Sequence, residues 1–171
     1  MDTSVAGTSF GSHFAQVAWV VKDIKATERI FGDVFGVKNF TKLENLRAVD
    51  HEGTYMGKPA NFVIHLYLAY SGGSMIELIQ PVSGQSMYQD YLDKNPKGGI
   101  QHIAYMVPVA NLSKAVSELT GKGCEIITTL NLPIANVVYF DTYKEIGVAT
   151  EIIGITEAGY QFLEQLKSNA A

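Results

Sequence analysis

The sequence predicts an α+β fold made of two βαβββ modules that pair through their sheets and leave a cleft between them. Three observations carry this expectation. The stretch Gln16-Val17-Ala18-Trp19-Val20-Val21 recurs as His102-Ile103-Ala104-Tyr105-Met106-Val107. Each copy is followed by a segment of helical spacing and then by short apolar, β-rich segments. The last of these carries one glutamate among apolar neighbours in both copies, Glu77 in MIELIQ and Glu151 in VATEIIG. A repeat on this scale is one supersecondary unit used twice, because neither copy alone can bury its sheet face.

The elements follow in order. Residues 1–12 read as a frayed polar leader, and MDTSVAGTSFGSH has neither the charged nor the apolar region of a secretory signal. The first module spans residues 13–82. Its opening strand runs from Gln16 to Val21. Asp23 offers an N-cap to a helix that places Ile24, Thr27, Phe31 and Val34 together and ends near Gly36. Mixed polar sequence continues to Lys58. A β-rich run over 61–70 follows, then a turn at Gly72-Gly73 and a strand over 75–80 that Pro81 ends. Residues 83–100 join the modules through a helix over 86–95 and the loop Asn95-Pro96-Lys97-Gly98-Gly99. The second module spans 101–155. Its strand starts at His102, and Asn111 caps a helix carrying Leu112, Ala115, Val116 and Leu119 that closes at Gly121 or Gly123. Strands over 124–128, 136–140 and 148–153 complete it, with Asp141 to Gly147 as a hairpin connection. Residues 156–171 form a last helix, capped by Thr156, and a tail.

Composition narrows the function classes. A chain of 171 residues with net charge −4 and no basic cluster argues against nucleic acid. No apolar run approaches the ~18 residues a membrane span needs. The lone Cys124 excludes an internal disulfide and a cysteine-built metal cluster. The expected setting is the cytoplasm and the expected partner a small-molecule substrate; a homodimer stays open.

Alternation along a strand puts Gln16, Ala18 and Val20 on one face, and His102, Ala104 and Met106 on the corresponding face of the other copy. A carboxylate centred in an apolar strand needs a partner if buried. Each module therefore supplies one neutral donor early and one carboxylate late: Gln16 with Glu77, His102 with Glu151. One imidazole nitrogen and three oxygens suit a divalent ion such as Zn, Ni, Co, Mn or Fe, with positions left for water or substrate. His65 is the rival ligand, read also as a pocket wall, a group orienting a carboxylate, or a core histidine. Tyr67, Tyr105 and Tyr139 are candidates for the pocket wall, against the commoner role of packing.

The paired starts Gln16-Val17-Ala18 and His102-Ile103-Ala104, with the strand ends Glu77-Leu78-Ile79-Gln80-Pro81 and Glu151-Ile152-Ile153, resemble the vicinal oxygen chelate superfamily. That group includes glyoxalase I, methylmalonyl-CoA epimerase and the extradiol dioxygenases, and the likeness covers roughly 14–155. The segment from Tyr91 to Tyr105 most resembles the epimerases. Those commonly have His where this chain has Gln16 and Gln where it has Glu77. The set Gln, Glu, His, Glu resembles instead the eukaryotic type of glyoxalase I. The arginines with which that enzyme holds glutathione have no counterpart, since Val20 and Gly98 stand at their positions. Extradiol dioxygenases use two histidines, and the first is missing.

The resemblance implies a glyoxalase-like open barrel and a metal-dependent enzyme that stabilises an enolate-like anion. Epimerase or isomerase chemistry leads, glyoxalase-type lyase chemistry on a non-glutathione substrate comes next, and a metal-free ligand-binding protein on the same fold is the rival from another class. Glu151 is the first candidate for the base, because glyoxalase-like and epimerase-like members both keep Glu there, and Glu77 is the second. An acyl-CoA would want basic residues at the rim, for which Lys58, Lys94 and Lys97 are available.

Overall fold

The computed structural model describes residues 8–170. Strand β1 is Phe14–Val20 and leads into helix α1, Ile24–Phe35. Asp23 caps this helix as expected, its carboxylate accepting from the Ala26 N–H at 2.9 Å. Gly36 closes it with φ 74°, a conformation that favours glycine, and Val37 N–H returns to the Phe31 carbonyl. Ile24 is buried, but Val34 is 65% exposed, so it lies off the inward face that the spacing assigned to it. The polar stretch after α1 is not irregular. It forms β2, Thr41–Arg47, then the short strands β3, Thr54–Tyr55, and β4, Lys58–Pro59.

Strands β5, Val63–Ser71, and β6, Ser74–Ser83, form a hairpin. Pro81 does not end β6. The carbonyl of Ile79 accepts from Val21 N–H on the β1 side, so by alternation the missing N–H of Pro81 falls on that side too, where β1 has already stopped at Val20. Helix α2, Met87–Lys94, starts at Ser86, whose hydroxyl accepts from Gln89 N–H. Strand β7, Gly99–Pro108, opens the second copy three residues before His102. Helix α3, Leu112–Thr120, receives no side-chain cap from Asn111, because a 3-10 turn over Val109–Asn111 holds that residue in helical geometry. Strands β8, Ile126–Asn131, and β9, Ala135–Phe140, follow. Helix α4, Tyr143–Ile146, replaces the expected plain hairpin, before β10, Ala149–Ile155, and α5, Glu157–Ala170. Thr156 starts α5, its hydroxyl accepting from Gly159 N–H.

The described residues make one curled, mixed sheet of ten strands in the order β2-β5-β6-β1-β7-β10-β9-β8-β3-β4, with five α-helices around it. The halves meet where β1 runs antiparallel to β7. Gly98 makes this seam tight: its φ is 73°, and a Cβ there would come within 2.5 Å of the Val20 carbonyl. Helix α1 covers the convex face of the first half, packing near Trp19, Phe40 and Leu78, and α3 covers that of the second, with Val107, Phe140 and Ile152. The concave face carries the largest apolar cluster, which α2 and α5 complete with Tyr88, Leu92, Leu163 and Leu166. Residues 1–7 of the expected leader lie outside the described residues. Its remainder is not frayed: Phe10 is buried beside Tyr105, and Ser9 N–H donates to Glu118. Among the described residues, no helix is long and apolar enough to cross a membrane.

Candidate metal centre

Four adjacent strands, β6, β1, β7 and β10, carry the four sequence candidates on the concave face. Pairing places Glu77 beside Ala18, Ala18 beside His102, and His102 beside Ala149. One row along, Met75, Gln16, Ala104 and Glu151 lie side by side. The rows form a checkerboard in which Ala18 and Ala104, both fully buried, leave room for the longer side chains around them. A pseudo-twofold between Ala18 and Ala104 exchanges Glu77 with Glu151 and Gln16 with His102, which is the repeat of the sequence turned into space.

The four side chains converge. Gln16 Nε2 stands 3.0 Å from Glu77 Oε2, 3.3 Å from Glu151 Oε2 and 3.4 Å from His102 Nε2. His102 Nε2 is 3.1 Å from Glu77 and 3.2 Å from Glu151. One donor atom each from Glu77, His102 and Glu151 lies within 4.8 Å of the others. Donors held about 2.0–2.2 Å from one ion stand roughly 2.9–3.5 Å apart in octahedral or tetrahedral arrangement, so the observed separations fit a single divalent cation. The chemistry fits as well. Two carboxylates and a neutral imidazole sum to the charge that one divalent cation cancels, and the Gln16 amide can present its oxygen by turning over.

Burial makes this charge balance matter, because all four residues are at most 5% exposed. Desolvation raises the Glu77 carboxyl above its ordinary range, against the lowering effect of His102. Burial pulls the His102 imidazole down, but its hydrogen bonds to Glu151 and Glu77 outweigh this and push it up to about 9. The opposite ring nitrogen is fixed from behind. His102 Nδ1 is 2.7 Å from Gln101 Oε1, so it carries the proton that Gln101 accepts and leaves Nε2 facing the carboxylates. The Gln101 amide in turn donates to the Tyr143 hydroxyl of α4.

Gln101 escapes a reading of the sequence because strict alternation puts it on the face opposite His102. A bulge reverses this. Ala18 pairs with His102 while Trp19 pairs with Ile100, so Gln101 is the unpaired extra residue and turns to the same side as its neighbour. Tyr88 also escapes. It comes from α2, far from either repeat, and points its ring into the same cavity.

The other candidates divide. Tyr139 is at the site, its ring edge-on to that of His102 at 5.1 Å. His65, Tyr67 and Tyr105 are not, and here the expectation is corrected. Tyr67 packs in the convex core under α1 and donates to Glu44. Tyr105 packs against Phe10 and Phe14 on the convex side of β7. His65 accepts the N–H of Asn45, which a bulge in β2 leaves unpaired, with φ 56° at Asn45. That bulge turns both Leu43 and Leu46 into the concave cavity. Lys94 lines a different groove, between α2 and α4, and neither Lys58 nor Lys97 lines the cavity over the donors.

The comparisons with known proteins agree with this architecture. The family model described as Glyoxalase/Bleomycin resistance protein/Dioxygenase superfamily matches residues 15–133, a span that holds Gln16, Glu77 and His102 and stops short of Glu151. No curated protein matches the chain by sequence. Among solved structures, a hypothetical protein from Bacillus halodurans is similar with a TM-score of 0.61 and 20% identity, over 82% of this chain and 91% of that one. Methylmalonyl-CoA epimerase from Mycobacterium tuberculosis is similar with a TM-score of 0.60 and 18% identity, over 88% of this chain and 92% of that one. A Streptomyces coelicolor methylmalonyl-CoA epimerase variant in complex with 2-nitronate-propionyl-CoA gives 0.59 and 18%, over 85% and 97%. At such identities the structural likeness speaks for the fold, and the family model spans well over half of the residues. The chain belongs to the Glyoxalase/Bleomycin resistance protein/Dioxygenase superfamily.

Proposed function

We propose that this protein is a divalent-metal-dependent epimerase or isomerase that moves a proton at the carbon next to a carbonyl, through an enolate-like anion of a small oxygenated substrate. The observation that supports this is the meeting of Gln16, Glu77, His102 and Glu151, of which Gln16, Glu77 and Glu151 line the floor of one cavity and His102 lies just behind them. Similarity of fold to proteins named methylmalonyl-CoA epimerase favours the same class of reaction.

A bound Zn, Ni, Co, Mn or Fe ion would supply positive charge to the carbonyl oxygen and so stabilise the developing anion. The remaining work falls to this chain's side chains. Glu77 and Glu151 reach the centre from strands on opposite sides of the β1–β7 seam. One carboxylate takes the proton from one face of the substrate and the other returns it on the opposite face, which inverts the carbon. Burial makes Glu77 a better proton acceptor than a solvated carboxylate. Gln101 keeps the His102 ring from turning, and the apolar wall excludes the water that would quench the anion.

A second reading has a specific observation in its favour. The Gln16 amide and the His102 imidazole hydrogen-bond both carboxylates, so the four side chains can satisfy one another, as a metal-free ligand-binding protein would need. Metal content separates the two. Gently purified wild type should hold about one divalent ion per chain, and His102→Ala and Glu151→Ala should each lose it. The wild type should also exchange α-hydrogen for deuterium in D₂O on some member of a panel of hydroxyketones and 2-substituted 3-oxo esters. Protein without stoichiometric metal would leave only the binding reading.

A further inference from the structure

Gln16, Glu77 and Glu151 form the floor of a cavity of about 70 Å³ whose walls are hydrocarbon. Besides Gln16, Glu77, Glu151 and the tyrosines 88 and 139, every described residue lining it is aliphatic, Met or Phe, and none is Lys or Arg. The half-buried Leu43, Leu46, Leu66, Met106, Leu132 and Phe162 make its outer part. A phosphate or carboxylate on this path would lose its water and find no cation in exchange.

One group in the wall is unfinished. Tyr88 is fully buried, held edge-on between Phe62 at 5.8 Å and Tyr139 at 6.2 Å, and its hydroxyl lies beside that of Tyr139 without meeting it, or any other described residue, in a well-formed hydrogen bond. A buried hydroxyl left unpaired is destabilising, and the rare exceptions ask for a bound group to complete them. The ring cannot turn its hydroxyl to solvent without breaking both aromatic contacts.

We propose that the ligand of this site is a hydrocarbon chain or ring with adjacent oxygens at one end and no anionic group on its tail. Its oxygen end meets the four donors and accepts a hydrogen bond from Tyr88, and its tail lies outward along the aliphatic wall. This rests on the reading above for the oxygen end alone. The tail's chemistry follows from the lining, and it separates this protein from any relative whose substrate carries phosphates.

Three hydroxamates share the same pair of oxygens and differ in the tail: acetohydroxamate, hexanohydroxamate and succinomonohydroxamate. Titration calorimetry on zinc-loaded protein, with zinc measured in the same samples, should show hexanohydroxamate binding at least tenfold more tightly than acetohydroxamate, because each buried methylene adds to affinity. Succinomonohydroxamate should bind no tighter than acetohydroxamate. Equal affinity for all three, or preference for the succinyl form, overturns the proposal. Tyr88→Phe should weaken every hydroxamate about five- to tenfold while leaving the hexanoyl-to-acetyl ratio and the zinc content unchanged; unaltered affinity removes Tyr88 from the proposal. Leu46→Lys, at the half-exposed mouth, should shift preference toward the succinyl form, which keeps a test in hand where Tyr88→Phe fails to fold. If wild type retains no zinc, the enzyme reading fails by itself. The same probes on metal-free protein then decide the tail, where hexanohydroxamate must still bind most tightly or this inference fails too.

Discussion

Gln101 and His102 are neighbours in the chain that a bulge brings onto one face, and the bond between them decides which nitrogen His102 offers. Replacing Gln101 by Leu keeps the bulk and removes the acceptor, so the ring is free to turn and its basicity falls. Loss of such a support typically weakens metal binding about 10–100-fold. Competition titration of Gln101→Leu against a chelator should show a loss of that order, with the far-UV spectrum unchanged; an unaltered affinity would mean that packing alone orients the ring. The same imidazole makes a pH prediction for metal-free protein. Its folded-state pKa, about 9, lies above the ordinary value near 6.5. Its contribution to stability is therefore complete below about 6.5 and is lost as pH rises through 9. Glu77, also raised, has the same sign. The urea midpoint of chelator-treated protein should fall as pH climbs over this window, and His102→Gln should flatten the fall.

Helix ends give a sharper contrast between two elements that occupy equivalent places in the repeat. Asp23 and Asn111 look alike as caps in the sequence, yet only Asp23 makes the bond. Asp23→Ala should therefore lower stability by about 1 kcal/mol, whereas Asn111→Ala should stay within about 0.5 kcal/mol, as for surface changes that break no contact. Urea unfolding of the two variants checks this, and equal losses would contradict the assigned cap geometry. The difference shows what a sequence reveals at this scale. Both strand–helix units, the meeting of Gln16, Glu77, His102 and Glu151 on one face, and the hairpin at Gly72 were legible, because they rest on period, turn residues and register. Strand β2 was not, since TKLENLR alternates weakly and needs a bulge at Asn45 to face both leucines inward. The continuation of β6 past Pro81 depends on where its neighbour β1 ends, which no local pattern contains. His65, Tyr67 and Tyr105 fell on the convex side by the same alternation that placed the donors. For Tyr105, three residues after His102, that parity was already readable.

The two halves are interlocked rather than simply apposed, which bears on how the whole molecule unfolds. Strands β3 and β4 arise within the first half yet extend the second, with Thr54 and Tyr55 paired to Thr129 and Thr128 of β8 and Met56 N–H bonded to the Ile127 carbonyl. Helix α5 follows the second half yet packs over β5 of the first, and Asn39 of the first half donates to the Asn169 carbonyl near the end of α5. The concave apolar cluster draws on both halves and on both covering helices. A fragment ending at residue 97 would leave the β3–β4 hairpin without its partner strand and the inner face of β5 uncovered. The remaining fragment would expose the edge of β7 that β1 occupies. Neither should hold a stable fold alone, although the sequence repeat invites the thought that each is a domain. The intact 171-residue chain is expected to unfold in one transition, with far-UV and near-UV signals coincident. If the proposed site holds a metal, saturating divalent ion should move that single transition upward as a unit, because Gln16 and Glu77 come from one half and His102 and Glu151 from the other, so the site is lost once either half unfolds. Two resolved transitions, or a metal shift confined to one of them, would show that the halves fold independently and that the cross-connections through β3, β4 and α5 carry little of the stability.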